Sequence, residues 1–257
     1  MRIVIPRESV AGERRTSATP ETVKKMIRLG AEVAIESGAG AAVGFDDSIY
    51  AELGAEIVAD RTALLGSADM VLRLRKPEPD EIGMMKSGCI HVSYLDPFNE
   101  RDLIKTLADK GITAISMEMI PRSTRSQKMD ALSSQANLAG YVAVMLAAAQ
   151  LPRIFPMLMT PAGTLKPAKV FIIGAGVAGL QAIATAKRLG ARVTAFDTRP
   201  VVAEQVQSLG GKFLEIDLGD TGQTSDGYAK ELTPEQVEIQ RQAQKDVIAD
   251  SDVVITT

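Results

Sequence analysis

Three glycines, Gly174, Gly176 and Gly179, follow an apolar run at the spacing GxGxxG and precede a helical pattern. At this spacing the first glycine permits a tight turn, the second lets the backbone approach a pyrophosphate, and the third packs helix against strand. The N–H groups at the start of the following helix favour an anion. The turn, which also contains Ala175 and Val177, is therefore predicted to bind a dinucleotide.

An acidic residue ends the next predicted strand: Asp197 lies 18 residues after Gly179. A carboxylate at this position can accept hydrogen bonds from the adenosine ribose and repels a 2′-phosphate. Arg199 acts in the opposite direction, because a nearby arginine can accommodate that phosphate. Asp197 therefore predicts a site for NAD(H) in preference to NADP(H), and Thr198 and Arg199 are predicted to be part of that site.

A second group of polar side chains, Arg122, Arg125, Gln127 and Asp130, precedes a long uncharged segment. The arginines and Gln127 could hydrogen-bond a carboxamide, and Asp130 could hold an arginine in place. Direct hydride transfer between two nicotinamide rings needs close approach, alignment and exclusion of water, but no general acid. By composition alone, a solvated loop fits this stretch equally well.

Proton transfer near neutral pH most often uses histidine, and the chain has one, His91, inside an apolar strand-like run. We expect His91 to be a core residue with a satisfied ring. Asp96 and Lys76 lie nearby in sequence, but their spacing does not require acid–base chemistry. No metal site is predicted.

Alternating strands and helices must position these residues. Thr19, Pro20 and Gly30 mark the start and end of one predicted helix, and Thr233, Pro234 and Gln236 open another. The alternation predicts an α/β fold with two doubly wound, parallel-sheet (Rossmann-like) domains joined by a long helix. Only about four strands are predicted after the proline-rich connector LPRIFPMLMTPAGTLKPAK, where six are usual in a dinucleotide-binding domain, so we expect the second domain to be truncated.

The length of 257 residues favours two domains. We predict an N-terminal α/β domain at 1–130, an interdomain helix at 131–151 and a nucleotide-binding domain at 152–257. The helix is uncharged and long enough to cross a bilayer. Its polar side chains instead favour burial between protein domains: Ser133, Ser134, Gln135, Asn137 and Gln150.

Composition excludes several classes of function. The formal net charge of −3 gives no electrostatic basis for binding nucleic acid. The single cysteine, Cys89, cannot form an internal disulfide, and the N-terminal residues lack the apolar core of a secretion signal. A cytoplasmic location is expected.

The motifs resemble those of a known family, the NAD(H)-binding component (domain I, alpha subunit) of proton-translocating NAD(P)+ transhydrogenase. The resemblance extends from IPRE through PRSTRSQKMDALSSQANLAGY and GAGVAGLQAIATAKRLGA to VVITT. PRSTRSQKMD is similar to the family's arginine, glutamine and aspartate loop. This similarity implies that Arg122, Gln127 and Asp130 hold the dihydronicotinamide, with Ser133 just beyond.

A second specific segment, SDGYAKE, resembles the family's mobile loop and implies that Gly227 and Tyr228 close over bound nucleotide. The family also implies that NADH passes hydride to NADP+ held on a partner domain, while membrane proton-channel subunits couple the transfer to proton movement. The chain would then be peripheral to the cytoplasmic face of the inner membrane, without a membrane span of its own, and would pair as a homodimer.

Two other functions remain open. Alanine dehydrogenase, a distant relative, shares the fold but uses a lysine and a histidine on its first domain. In this sequence those positions are interpreted as Arg75, with Lys76 beside it, and Asp96, while the carboxylate-binding arginine is kept as Arg15. Reduction of a keto acid is therefore not expected. A non-enzymatic NAD-binding module is the second alternative.

Overall fold

The computed structural model describes residues 1–219 and 231–257. The chain divides into two compact units, Met1–Asp130 and Ala131–Thr257. Each unit has buried apolar clusters of its own, two in the first unit and two among the described residues of the second. Each unit can therefore bury a core from its own side chains.

The first unit is a parallel sheet flanked by helices. The strand order β3-β2-β1-β4-β5-β6 reverses direction between β1 and β4, which is the arrangement of a doubly wound sheet. The strands are β1 (Arg2–Ile5), β2 (Glu32–Glu36), β3 (Glu56–Val58), β4 (Met70–Leu72), β5 (Ile90–Ser93) and β6 (Thr113–Ser116). The helices are α1 (Pro20–Arg28), α2 (Asp47–Glu52), α3 (Arg61–Ser67), α4 (Pro79–Met84) and α5 (Arg101–Asp109).

The predicted boundaries of α1 are confirmed. The Thr19 side chain accepts a hydrogen bond from the N–H of Thr22, and Pro20 occupies the first turn, where its missing N–H costs nothing. Gly30 follows the helix with φ +86°, a conformation that side chains with a Cβ rarely adopt. The next strand, β2, begins two residues later.

A chain of charges is buried near one end of this sheet. Arg61 Nη1 lies 2.5 Å from Glu36 Oε2, and Arg61 also pairs with Glu81. Arg73, whose side chain is fully buried, donates from Nη1 to Glu81 Oε2 at 2.5 Å. Burial raises the pKa of Glu81, but the charges and hydrogen bonds of Arg73 and Arg61 outweigh it, so the pKa lies below its usual value.

The second unit contains a parallel sheet of order β11-β10-β9-β12 and an antiparallel hairpin. The described strands are β7 (Leu158–Thr160) and β8 (Gly163–Leu165) in the hairpin, then β9 (Lys169–Ile173), β10 (Arg192–Phe196), β11 (Lys212–Phe213) and β12 (Val253–Thr256). The described helices are α6 (Ala131–Gln150), α7 (Val177–Arg188), α8 (Ala203–Ser208) and α9 (Pro234–Ala249). Thr233 and Gln236 form the predicted capping box of α9. The predicted fold class, two doubly wound parallel sheets, is confirmed.

Helix α6 packs closely against α7. A Cβ added to Gly140 would lie 2.1 Å from the carbonyl oxygen of Ala178, so only glycine permits this approach. The expectation of a buried helix is wrong for the described chain, because Gly140 and Val144 are the buried residues of α6. Leu138, Tyr141 and other apolar side chains are exposed. One face of α6 packs on α7. The uncharged composition of the helix therefore does not predict which of its faces are buried.

Among the described residues, α6 is the one helix long and apolar enough to span a membrane, by length and composition only. Its mean hydropathy over 18 residues is 1.2. The Gly140 contact fixes the middle of α6 to the first turn of α7.

Candidate functional site

The glycine turn connects β9 to α7, and its three glycines have different surroundings. Gly174 has φ +98°, and a Cβ there would lie 2.5 Å from the carbonyl oxygen of Thr257. A Cβ on Gly179 would lie 1.9 Å from the carbonyl oxygen of Gly174. At Gly176, by contrast, an added Cβ would meet no atom of the described residues within 4 Å. Only Gly176 therefore faces open space, as a turn that admits a ligand requires.

The N-terminus of α7 starts at this open position. Gly176 is the N-cap residue and has no side chain to cap the first N–H groups of the helix. Uncapped N–H groups and the helix dipole attract an anion such as pyrophosphate. Lys187 and Arg188 lie in the last turn, where positive charge stabilises the opposite end. The local geometry therefore fits a dinucleotide phosphate without a basic side chain at the turn.

Asp197 follows β10 and lies beside the glycine turn. Its side chain is 6% exposed, and its Oδ2 accepts a hydrogen bond from the N–H of Ala175 at 2.8 Å. Arg199 donates to both carboxylate oxygens, from Nε to Oδ1 and from Nη2 to Oδ2, each at 2.9 Å. Burial raises the pKa of Asp197, but the hydrogen bonds from Arg199 and Ala175 outweigh it, so the pKa lies below its usual value. The carboxylate is ionised at neutral pH.

A cavity of about 320 Å³ opens next to Asp197. Besides Asp197, two of its lining residues are acidic, Glu215 and Asp217, and no sequence motif indicated them. They lie in the loop after β11, and the only available signal was that neighbouring parallel strands end at one edge of a sheet. The other residues that line the cavity are Asp197, Thr198, Pro200, Phe213, Ile216, Leu218 and Gly219.

A contact from β12, which no sequence motif indicates, also shapes the glycine turn. The Thr257 hydroxyl donates to the carbonyl oxygen of Gly174 at 3.2 Å, and the Thr257 N–H donates to the carbonyl oxygen of Ile173. These bonds hold the end of β12 against the turn. The apolar segment VVIT at 253–256 is typical of a strand, but it does not predict this contact.

The polar stretch of the first unit forms a turn. Arg122 Nε lies 4.0 Å from Asp130 Oδ2, with 31% and 14% of the two side chains exposed. Gln127 begins a single 3₁₀ turn that ends at Met129, and the N–H of Met129 donates to the carbonyl oxygen of Ser126 at 2.8 Å. The side chain of Gln127 is exposed. The turn thus brings the Arg122 guanidinium and the Asp130 carboxylate to the outer limit of ion-pair distance.

The structure places the sequence-predicted site residues in two groups. Gly174, Ala175, Gly176, Val177, Gly179, Asp197, Thr198 and Arg199 lie together in the second unit, where β9 and β10 end side by side. Arg122, Gln127 and Asp130 lie in the first unit. Ser133 lies in the first turn of α6 and is half-buried. Gly227 and Tyr228 lie outside the described residues.

His91 is buried in β5 beside Arg73 and Ser93. Its Nδ1 lies 3.5 Å from Ser93 Oγ, and its Nε2 has no hydrogen-bond partner within the described residues of the chain. Burial, followed by the positive charge of Arg73, lowers the pKa of His91 to about 4. The predicted core position is confirmed, whereas the predicted satisfied ring is not, since one ring nitrogen lacks a partner.

The residues at the positions of the alanine-dehydrogenase site form ion pairs or hydrogen bonds with neighbouring side chains. Arg15 donates from Nη2 to Glu13 Oε2 at 2.6 Å, and Arg75 donates from Nε to the same oxygen at 2.9 Å. The hydrogen bonds from Arg15, only partly opposed by burial, lower the pKa of Glu13 to about 2. Lys76 pairs with Glu100. Asp96 accepts hydrogen bonds from Asn99. Arg15, Arg75 and Lys76 are therefore each paired with a carboxylate of the first unit.

Comparisons with known proteins cover almost the whole chain. Residues 4–139 match the alanine dehydrogenase/PNT N-terminal domain, and residues 143–257 match the alanine dehydrogenase/PNT C-terminal domain. An alpha-subunit protein of the NAD(P) transhydrogenase of Rhodospirillum rubrum is 44% identical over 264 aligned residues, which span 100% of this chain and 69% of that protein. The chain is thus shorter than this relative.

Two further relatives, a transhydrogenase and an alanine dehydrogenase, differ in their similarity to this chain. The crystal structure of transhydrogenase from Sinorhizobium meliloti superposes with a TM-score of 0.89 at 42% identity, over 100% of this chain and 69% of that one. Alanine dehydrogenase 2 of Staphylococcus aureus is 33% identical over 82% of this chain and 57% of its own length. The chain therefore belongs to the alanine dehydrogenase/PNT family, with the alpha subunit of NAD(P) transhydrogenase as a near relative and alanine dehydrogenase as a more distant one.

Proposed function

We propose that this chain is the NAD(H)-binding component of a proton-translocating transhydrogenase. It binds NADH at the glycine turn and presents it for direct hydride transfer to NADP+ held on a partner domain. The observation that carries the proposal is the turn itself. Gly174 and Gly179 are packed against backbone, while Gly176 is open and the Asp197 carboxylate lies beside it.

In this mechanism the chain's own residues bind and orient. The N-terminus of α7 holds the pyrophosphate, and Asp197 accepts hydrogen bonds from the adenosine ribose. Arg122, Gln127, Asp130 and Ser133 orient the nicotinamide ring, and the Asp130 carboxylate lies 4.0 Å from Arg122 Nε. NADH supplies the hydride and NADP+ accepts it, so no side chain has to supply a proton.

Preference for NAD(H) is supported by charge. A 2′-phosphate carries about two negative charges and would enter a region that contains Asp197, Glu215 and Asp217. Like charges at short range repel, and the repulsion is reduced by salt. NADPH is therefore expected to bind more weakly than NADH, most clearly at low ionic strength.

The proposal is tested by titrating the chain with NADH and NADPH, followed by hydride transfer from NADH to an NADP+ analogue in the presence of an NADP-binding domain. We expect tighter binding of NADH and transfer only with the partner. Equal affinity for the two nucleotides would contradict the assignment of the site. Binding without transfer in the reconstituted mixture would favour the non-enzymatic module.

The nicotinamide-orienting role is tested with a matched pair of arginines. Arg122→Ala should lower the rate of hydride transfer about 10- to 100-fold, because misalignment of reacting groups by about 1 Å has effects of this size. Arg125→Ala, three residues away on the same exposed turn, should lower it less than about threefold. Equal decreases in the transfer rate for the two variants would contradict a specific role of Arg122 and would instead indicate that the turn acts through its overall positive charge.

The proposed partners follow from the relatives, since a protein named as a subunit alpha implies further subunits of a complex. We place the chain at the cytoplasmic face of the inner membrane, attached through membrane proton-channel subunits and without a span of its own. The contact between α6 and α7 supports the last point, because α7 carries the nucleotide turn.

A homodimer is supported by the exposed apolar side chains of the β7–β8 hairpin, where Met159 is 85% exposed. Sedimentation of the chain should show a dimer, and Met159→Lys should weaken it. Sedimentation as a monomer at all concentrations would contradict this element of the proposal.

An alanine-dehydrogenase-like activity is the alternative. It would need a proton donor and a free cationic group in the first unit, whereas Arg15 and Arg75 both pair with Glu13. We therefore expect no NADH oxidation with pyruvate and ammonia. Turnover with these substrates would overturn the proposed function.

A further inference from the structure

The acceptor positions of Asp197 are fully used in this structure. The carboxylate receives four N–H groups: Ala175 N to Oδ2 at 2.8 Å, Arg199 N to Oδ1 at 2.8 Å, Arg199 Nε to Oδ1 at 2.9 Å and Arg199 Nη2 to Oδ2 at 2.9 Å. An ionised carboxylate offers about four lone-pair positions. No such position is left for the two hydroxyl groups of a ribose.

The four donors are not equally replaceable. The N–H groups of Ala175 and Arg199 belong to the backbone of two turns and keep their places as long as those turns are folded. The guanidinium of Arg199 lies at the end of a flexible side chain, of which 16% is exposed. It supplies two of the four bonds, and a ribose diol would also bring two donors.

We infer that Arg199 is a specificity-determining residue of the nucleotide site, because its guanidinium occupies the positions on Asp197 that the adenosine ribose hydroxyls must take. Binding exchanges one pair of donors for the other. The inference rests on the proposed function, in which the adenosine ribose of NAD(H) is held at Asp197. It assigns to Arg199 a competition with the ribose, where the sequence suggested only an attraction for a 2′-phosphate.

The exchange sets the affinity for the adenosine end of the nucleotide. When only a fraction of the protein molecules is in the conformation that can bind, the apparent dissociation constant equals the intrinsic one divided by that fraction. Here the competent molecules are those in which Arg199 has left Asp197. Bidentate arginine–carboxylate pairs are among the stronger polar contacts, so the fraction with Arg199 displaced is small before ligand binds. Weakening the pair should therefore tighten binding of any ligand that carries the ribose diol.

The test uses 5′-AMP, which contains the adenosine ribose and lacks nicotinamide. Arg199→Lys keeps the charge but replaces the two-point fork by a point charge, and it should tighten 5′-AMP binding about 3- to 10-fold. The gain should disappear with 2′,3′-dideoxy-AMP, which has neither hydroxyl. Arg188→Lys, the same exchange in the last turn of α7, should change neither affinity.

Unchanged or weaker binding of 5′-AMP by the Arg199→Lys variant would overturn the inference, as would an equal gain with the dideoxy ligand. Failure of the unaltered chain to bind both 5′-AMP and NADH would instead contradict the proposed function. The two failures are therefore distinguishable.

A second measurement needs no substitution. The Nε–H of Arg199 is hydrogen-bonded to Asp197 and should exchange slowly with solvent in the free protein. Saturation with 5′-AMP should accelerate that exchange, as followed by nitrogen-15 NMR of the arginine side chains, and dideoxy-AMP should not. Slow exchange that persists with bound 5′-AMP would show that the guanidinium stays on Asp197 and would overturn the inference.

Discussion

At the scale of single residues, two glycines of the turn are required for different reasons: Gly176 for nucleotide binding and Gly179 for packing. Gly176→Ala should leave the free energy of unfolding within about 1 kcal/mol, because its Cβ enters space that the described residues leave open. The same methyl group would stand where the backbone must approach the pyrophosphate. Affinity for NADH should fall at least about tenfold, as measured by fluorescence titration.

Gly179→Ala is the matched comparison. Its Cβ would lie 1.9 Å from the carbonyl oxygen of Gly174, and backbone atoms cannot yield as a flexible side chain can. We expect destabilisation of about 3 kcal/mol or more in chemical denaturation. Normal stability in the Gly179→Ala variant, or a large loss of stability in the Gly176→Ala variant, would contradict this division of roles.

His91 gives the stability of the first unit a dependence on pH. The pKa is 6.5 for an ordinary histidine and about 4 in the folded protein, where burial opposes the charged form. Between these values the unfolded chain binds more protons, so this contribution is fully present above pH 6.5 and is lost as pH falls toward 4. Lowering the pH from 7.5 to 5 should remove about 2 kcal/mol.

The measurement compares urea unfolding of the unaltered protein and His91→Gln at both pH values. Carboxylates contribute to the pH dependence of both proteins, so the difference between them isolates the histidine. The variant should lose less stability on acidification than the unaltered protein. An identical loss would mean that His91 titrates normally.

Much of the site was predictable from single residues, because residues close in the sequence form it. The spacing of Gly174, Gly176 and Gly179, with Asp197 after the next strand, determines which backbone atoms meet. The pairing of Arg199 with Asp197 was not predictable, since it depends on the orientation of a side chain. Glu215 and Asp217 join the site through the conformation of a loop, which no local pattern specifies.

At the scale of elements, the contact between α6 and α7 allows the effect of packing on stability to be compared with the effect of helix propensity. Replacing glycine by alanine within a helix normally stabilises it by up to about 1 kcal/mol. Gly140→Ala should nevertheless destabilise the protein, by about 1 to 3 kcal/mol, because the Cβ would lie 2.1 Å from the carbonyl oxygen of Ala178.

Gly83→Ala provides the control for this prediction. Gly83 lies in α4, and a Cβ there would meet no atom within 4 Å across residues 1–219 and 231–257. This substitution should be neutral or slightly stabilising in thermal unfolding. Similar effects at Gly83 and Gly140 would mean that α6 does not approach α7 this closely.

The helices with clear boundary signals were predictable, whereas strand β3 and the β7–β8 hairpin were not. Proline, threonine and glycine delimit α1, and a threonine–proline start with a capping glutamine opens α9, so these ends could be read directly. Strand β3 has three residues, and the β7–β8 hairpin lies exposed in a proline-rich connector. Neither β3 nor the hairpin strands show an alternation of buried and exposed residues. Burial of α6 was predicted wrongly because uncharged composition does not define a contact.

At the scale of the whole molecule, hydrogen exchange can test which end of the nucleotide each group of residues binds. Saturating 5′-AMP should slow amide exchange around the glycine turn, at residues 170–189, and leave residues 122–130 unchanged. NADH, which also carries nicotinamide, should slow exchange in both regions. Protection of residues 122–130 by 5′-AMP alone would show that the arginine turn does not recognise nicotinamide.

The linked charges of the first unit restrict how this sequence can diverge. Arg61 contacts both Glu36 and Glu81, and Arg73 reaches Glu81 from the other side. Replacing one member leaves a buried charge without its partner, which typically lowers the free energy of unfolding by about 3 to 5 kcal/mol. Replacing all members together by apolar residues can leave the stability unchanged. Homologous proteins should therefore vary at these four positions jointly, so that the ion pairs would be inherited or lost as one unit.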